Sequence, residues 1–204
     1  MFSIGITGGS GAGKTSALRS LKALGALVLD CDAIYHDILN NNADMKAELE
    51  SRFQGVSQNG AIDRKRLGNI VFSDPSALAD LNTITHKYIG KEIAQRIKKW
   101  ERQGGEVVAI DAIALIESGR SKTSDVVVGV IAPRETRISR IMSRDGITRE
   151  QAEMRINAQK PDSFYIENCD YILKAEYATP GEFEKECRRF FSELLGGHAD
   201  AGQS

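Results

Sequence analysis

The sequence predicts an α/β fold built on a mainly parallel five-stranded sheet flanked by helices. Three observations carry that reading. Extended, β-prone runs alternate with helical ones along the chain. Two of those runs, 107–111 and 126–132, are continuous stretches rich in valine and isoleucine, as strands buried on both faces require. A glycine-rich turn joins the first extended run to the first helical one. With 204 residues, 41% hydrophobic and 27% charged, the chain has enough apolar material for one core and room for an insertion, so disorder is not its main state.

Phe2–Thr7 is a short strand that enters the glycine-rich turn. Residues 14–24 then place apolar side chains at Ala17, Leu18, Leu21 and Leu24, the spacing of one helix face. Gly25 ends that helix, and residues 26–29 form a second strand closing on Asp30-Cys31-Asp32, so acids stand at a strand's carboxyl end. Residues 33–103 are helical in pattern, interrupted at 54–61 by a polar, glycine-containing stretch and at Asp74-Pro75, where a new helix starts. They form an insertion before the third and fourth strands, which are the two valine-rich runs; residues 171–173 supply the fifth. Pro133 opens a helix reaching about Arg144, and Thr148-Arg149-Glu150-Gln151 reads as a capping box for a helix to about Lys160. Thr179-Pro180-Gly181-Glu182 repeats that signature before the last helix. The tail, 196–204, is small and polar and is expected to be disordered.

A net charge of -1 removes the bulk attraction that nucleic acid or an anionic membrane surface exploits, so any anion site is local. Cys31, Cys169 and Cys187 are odd in number and scattered, which suggests neither a disulfide framework nor a zinc site. No apolar run approaches the roughly 20 residues of a membrane span. The N-terminus lacks the charged-then-apolar pattern of a signal peptide, so the expected location is cytoplasmic.

Gly8-Gly9-Ser10-Gly11-Ala12-Gly13-Lys14-Thr15 matches G-x-x-x-x-G-K-[ST] in full, between a strand and a helix, which is the context of a phosphate-binding P-loop. Glycines let the backbone bring its N–H groups to phosphate oxygens, and the helix N-terminus, running on through Ser16, adds positive partial charge. Lys14 reaches toward the β- and γ-phosphates of ATP, and the Thr15 hydroxyl is the expected ligand of Mg²⁺. A turn that merely joins strand to helix does not explain why lysine and threonine follow Gly13 in the motif's order. A GTPase would need a D-x-x-G switch, yet no aspartate has glycine three residues on, and Gln159-Lys160-Pro161-Asp162 only approximates a guanine-reading motif.

Asp30 and Asp32, two apart in an extended segment, project to one side at the end of the second strand, expected to lie next to the strand that enters the phosphate loop. A carboxylate there can take the proton of an acceptor hydroxyl during phosphoryl transfer. Asp32 also precedes the helical pattern from Ala33 and could be its N-cap, and the two roles are compatible. Arg137, Arg140 and Arg144 share a helix face by their spacing of three and four. They suit either phosphate binding or a solvated face paired with Glu135, Asp145 and Glu150, and a phosphate site's need for cations favours the first. His86 alone reads as structural.

Taken together, residues 7–15, Leu29-Asp30-Cys31-Asp32, Leu81-Asn82 with His86, Leu115-Ile116-Glu117-Ser118-Gly119, and Arg144-Asp145 with Arg155 and Gln159 resemble the dephospho-CoA kinase family over about residues 2–193. The resemblance implies a P-loop kinase-type fold and transfer of the γ-phosphoryl of ATP to the ribose 3'-hydroxyl of 3'-dephospho-CoA. It implies a nucleotide-binding core over 1–32, 104–137 and 166–195, a CoA-binding insertion over 33–103 and a lid over 138–165. Asp32 falls on the family's base, Arg140 and Arg144 on phosphate-clamping positions of the lid, and His86, Arg155 and Gln159 on the substrate side. Lys87 stands where the family usually has proline, Ile113-Ala114 replaces a common Pro-Leu, and the family tends to show asparagine near Ala175. Two other readings predict different behaviour: a nucleoside or nucleotide kinase of related fold, and a nucleotide-binding switch module without phosphotransfer.

Overall fold

The first strand, β1 (Phe2–Thr7), is buried on both faces, with only Ser3 even partly accessible, because it takes the centre of the sheet. The computed structural model describes residues 1–58, 60–112, 114–176 and 179–201. With β2 (Leu27–Asp30), β5 (Val107–Asp111), β6 (Val126–Ile131) and β7 (Tyr171–Lys174), β1 forms a five-stranded sheet in the order β2-β5-β1-β6-β7, so β5 lies beside β1 where the sequence suggested β2. The pairs β1–β5, β1–β6 and β6–β7 are parallel, with Ile4 opposite Ala109 on one side and Val126 on the other. Covering helices explain the unbroken apolar runs, since a strand with both faces buried has no polar side to show.

The chain divides into two units, residues 1–29 with 104–204, and residues 30–103. In the first, α1 (Lys14–Ala23) and α9 (Pro180–Ala201) pack together, and their fully buried Ala17, Leu21, Phe183 and Phe191 share a core with Ile4, Ile6, Val128 and Val130. Each large apolar side chain buried in this way contributes roughly 1.5–3 kcal/mol. The helices α6 (Arg134–Asp145) and α7 (Arg149–Asn157) build a separate small core from Ile138, Ile141, Ala152 and Ile156. A reciprocal capping box between Thr148 and Gln151 starts α7, and Thr179 with Glu182 makes the matching pair of bonds at the start of α9. Between them α8 (Asp162–Asn168) lies against β6 and β7.

In the second unit, α2 (Cys31–Asn41), α3 (Ala43–Arg52) and α4 (Arg64–Ser73) each pack along α5 (Pro75–Arg102), a helix of 28 residues. Every one of these helices begins on an Asx N-cap: Asp30, Asn42, Asp63 and Asp74 in turn. Ile34, Ile38, Met45, Leu49, Leu67, Val71 and Ile84 fill the interior.

Several expectations need correcting. The helix after β2 starts at Cys31 and its cap is Asp30, whose carboxylate accepts from the N–H groups of Asp32 and Ala33, so Asp32 is not the cap. The polar stretch at 54–61 contains a two-stranded antiparallel ribbon, β3 (Ser57–Gln58) with β4 (Ala61–Ile62). The tail does not lose order at 196: α9 runs to Ala201, because Leu194 and Leu195 pack on the core and the His198 ring stacks on Phe2 at 4.0 Å. Residues 202–204, like Ile113, lie outside the described residues. Among the described residues no helix is long and apolar enough to cross a membrane.

Candidate phosphoryl-transfer site

The turn that leaves β1 can only be made with glycine. Gly8 has φ 142°, and a Cβ there would stand 2.2 Å from the carbonyl oxygen of Val130; Gly11 has φ 75°, and its Cβ would stand 2.7 Å from the carbonyl oxygen of Arg137. Such close backbone approach lets the loop wrap onto the start of α1. That helix begins on Gly13 with no side-chain cap and no acid in its first turn, so its positive end is left for an anion. Among the described residues the N–H groups of Gly11, Gly13 and Thr15 have no hydrogen-bond partner, and neither does the exposed Thr15 hydroxyl. Lys14 lies back over the loop, its Nζ donating to the Gly8 carbonyl at 2.9 Å.

The three arginines expected on one helix face have three different uses. Arg137 is only 5% exposed and points under the loop: Nε donates to the Ser10 carbonyl at 3.0 Å, one terminal nitrogen to Gln159 Oε1 at 2.9 Å, and the other to Asp162 at 3.4 Å. It is not part of a solvated face. Arg140 donates to the carbonyls of Gly11 and Ala12 at 3.1 and 3.4 Å, which places a guanidinium on the rim of the cradle. Burial pushes its pKa below the ordinary arginine value, yet arginine remains a cation. Arg144 forms a bidentate pair with Asp145 at 2.7 and 2.9 Å, and Arg155 donates to the same carboxylate. Gln159, expected on the substrate side, bonds Ser10: its Oε1 accepts from the Ser10 N–H at 2.9 Å and its Nε2 donates to the Ser10 hydroxyl at 3.0 Å.

The Arg144 hydrogen bonds, with the Arg155 pair behind them, hold the Asp145 carboxyl down to about 2. A carboxylate whose pKa is lower folded than unfolded (about 3.9) stabilises the fold above the unfolded value. That contribution is lost as the pH falls through the folded one. The melting temperatures of the native chain and of Asp145→Asn therefore differ at pH 6 and converge as the pH is lowered from about 4 to about 2. A gap that persists unchanged at pH 2 would show that this ion pair is not its source.

Within the 30–103 unit, capping by Asp30 frees Asp32. Its side chain is exposed in the first turn of α2, with no hydrogen bond among the described residues. His86 lies exposed on α5. Beside it Lys87 continues α5 and pairs with Glu48 at 2.7 Å. Glu48 also accepts from Tyr88, whose burial and carboxylate partner push its hydroxyl up to about 12. Ala175 is buried beside Gly13 and Phe183, so that position presents no polar side chain to a ligand in this chain. Burial raises the thiols of Cys169 and Cys187 to about 11 and about 12, which removes both as nucleophiles at neutral pH.

A family model described as dephospho-CoA kinase matches residues 2–180. A dephospho-CoA kinase from Geobacter sulfurreducens is 39% identical over 192 residues, which is 93% of this chain and 97% of that protein. Among solved structures, TT1252 from Thermus thermophilus matches with a TM-score of 0.79 at 28% identity, over 95% of this chain and 97% of that one. A dephospho-CoA kinase from Campylobacter jejuni matches with a TM-score of 0.69 at 25% identity, over 96% and 98% of the two chains.

Proposed function

The chain belongs to the dephospho-CoA kinase family, and from that premise we propose how its own residues move the γ-phosphoryl group of ATP to the ribose 3'-hydroxyl of 3'-dephospho-CoA, the last step of coenzyme A synthesis. One observation carries the reading: a cradle of open N–H groups at an uncapped helix start, rimmed by a lysine and an arginine. Such a site holds a polyphosphate by preformed donors and cations, and phosphoryl transfer asks little of the protein beyond that positioning and charge.

In this proposal residues 8–16 hold the ATP phosphates. Lys14 leaves the Gly8 carbonyl for the β- and γ-oxygens, and Arg140 meets the charge that develops during transfer. Arg144, on the 138–165 segment read as a lid, exchanges Asp145 for phosphate. Thr15 fits Mg²⁺: its hydroxyl is exposed and has no hydrogen bond among the described residues, and this ion takes few protein ligands beside phosphate oxygens. When bound, Mg²⁺ neutralises phosphate charge. Asp32 orients the acceptor hydroxyl and takes its proton, the 33–103 insertion binds dephospho-CoA, and His86 and Arg155 act on the substrate side. Cys169 and Cys187, which form no disulfide among the described residues, suit the reducing cytoplasm.

ADP release from ATP, measured with 3'-dephospho-CoA and with a panel of nucleosides and nucleotides, tests the reading. Turnover with dephospho-CoA at least about 100-fold above any nucleoside supports it, since a site built to hydrogen-bond its acceptor rejects analogues by that much or more. Turnover of a nucleoside alone sinks it, and nucleotide binding without any acceptor-dependent turnover makes the chain a switch module.

A further inference from the structure

We propose that Gln159 and Arg137 are positioning residues: between them they fix two consecutive peptide planes of the P-loop and so aim the Gly11 N–H, the first free donor of the cradle, at the phosphates of ATP. The inference rests on the reading of this loop as the ATP site. It assigns Gln159 a role on the nucleotide side.

The geometry is a set of paired constraints. A trans peptide points its C=O and N–H in opposite directions, so holding one end orients the other. Gln159 Oε1 holds the Ser10 N–H at 2.9 Å, and at the far end of that same plane the Gly9 carbonyl accepts from Ala12 N–H at 3.2 Å, closing the turn. Arg137 Nε holds the Ser10 carbonyl at 3.0 Å, which turns the N–H of Gly11 away from Arg137 and toward the open cradle. The two side chains also fix each other, since Gln159 Oε1 accepts from Arg137 at 2.9 Å. The amide cannot be reversed, because two donors converge on Oε1 and only an oxygen can accept from both.

Three further observations agree. All the polar groups of Ser10 are engaged: N–H and hydroxyl by Gln159, carbonyl by Arg137. The phosphate donors therefore begin at Gly11. Gly9 has no room for a side chain, since a Cβ there would stand 2.2 Å from an Arg137 nitrogen and 3.0 Å from Gln159 Oε1. Gln159 lies in the linker from α7 to α8, so the base of the 138–165 segment is fastened to the loop by the same bonds.

Calorimetric titration of ATP without acceptor, alongside steady-state KM values for both substrates, tests this. Gln159→Leu, of similar volume but without polar atoms, is expected to weaken ATP binding about tenfold and leave KM for dephospho-CoA within about twofold. Gln159→Glu keeps an oxygen for the Ser10 N–H and for Arg137 and should restore ATP binding to within about threefold of the native chain. Unchanged ATP affinity in Gln159→Leu overturns the proposal, as does a rise confined to KM for dephospho-CoA. Loss of ATP affinity in Gln159→Glu equal to that in Gln159→Leu overturns it too. Because the titration needs no acceptor, it stays readable even if the native chain fails to phosphorylate dephospho-CoA, an outcome that would refute the acceptor assignment and not this one.

Discussion

Asp32→Asn is expected to lower kcat for phosphorylation of dephospho-CoA about 10³-fold while ATP binding stays within about twofold. The division of labour between the two aspartates is what makes the test clean. Asp30 is the helix cap, bonding the N–H groups of Asp32 and Ala33 at 2.9 Å each, so removing the Asp32 carboxylate takes no cap from α2. Asparagine keeps the size and polarity of the side chain and loses the negative charge and with it the capacity to accept a proton. A structural role for Asp32 would instead appear as a lower melting temperature with kcat nearly intact. The comparison variant Asp30→Ala should show that opposite pattern, losing about 1 kcal/mol of stability with its cap.

Lys14→Met is the second substitution with a large expected effect, a fall of about 10²- to 10³-fold in kcat from the loss of one cation at the transferring phosphoryl group. Methionine matches the length of the lysine stem, and the loop keeps its glycines, the Gln159 bonds and the Arg137 bonds, so nucleotide should still bind, more weakly. Lys14→Arg should recover little, because the wider planar guanidinium cannot lie over the Gly8 carbonyl as a compact ammonium does. Rapid-quench measurement of the transfer step separates the two effects. A kcat within tenfold of the native value in Lys14→Met would show that Lys14 only shapes the loop.

The sheet and the cradle were legible because both are local. A run such as Val126–Ile131, apolar at nearly every position, can only be a strand covered on both sides, and a complete G-x-x-x-x-G-K-[ST] fixes both a conformation and its ligand chemistry. Capping boxes at Thr148 and Thr179 were legible for the same reason, since each is a pair of bonds spanning three residues. The uses of the arginines were not. Helical spacing puts Arg137, Arg140 and Arg144 on one face but says nothing of depth, and depth depends on the phosphate loop, more than 120 positions away in sequence. Arg137 is buried because Ser10, 127 positions away, offers it a carbonyl; Gln159 turns toward the loop because Ser10, 149 positions away, offers both a donor and a hydroxyl. No pattern within the 134–162 stretch announces either bond. The switch of cap from Asp32 to Asp30 was a shift of two residues at a helix end, where aspartate at either position satisfies the same local rule.

The event that defines this activity is the arrival of the γ-phosphoryl group on the 3'-oxygen of dephospho-CoA. Incubation with ATP labelled at the γ-phosphorus, followed by separation of products and ³¹P NMR of the acceptor, reports it directly. The predicted result is label recovered one-for-one with ADP as a phosphomonoester on the ribose 3'-oxygen. Label recovered as inorganic phosphate, or at another position of the acceptor, would contradict it.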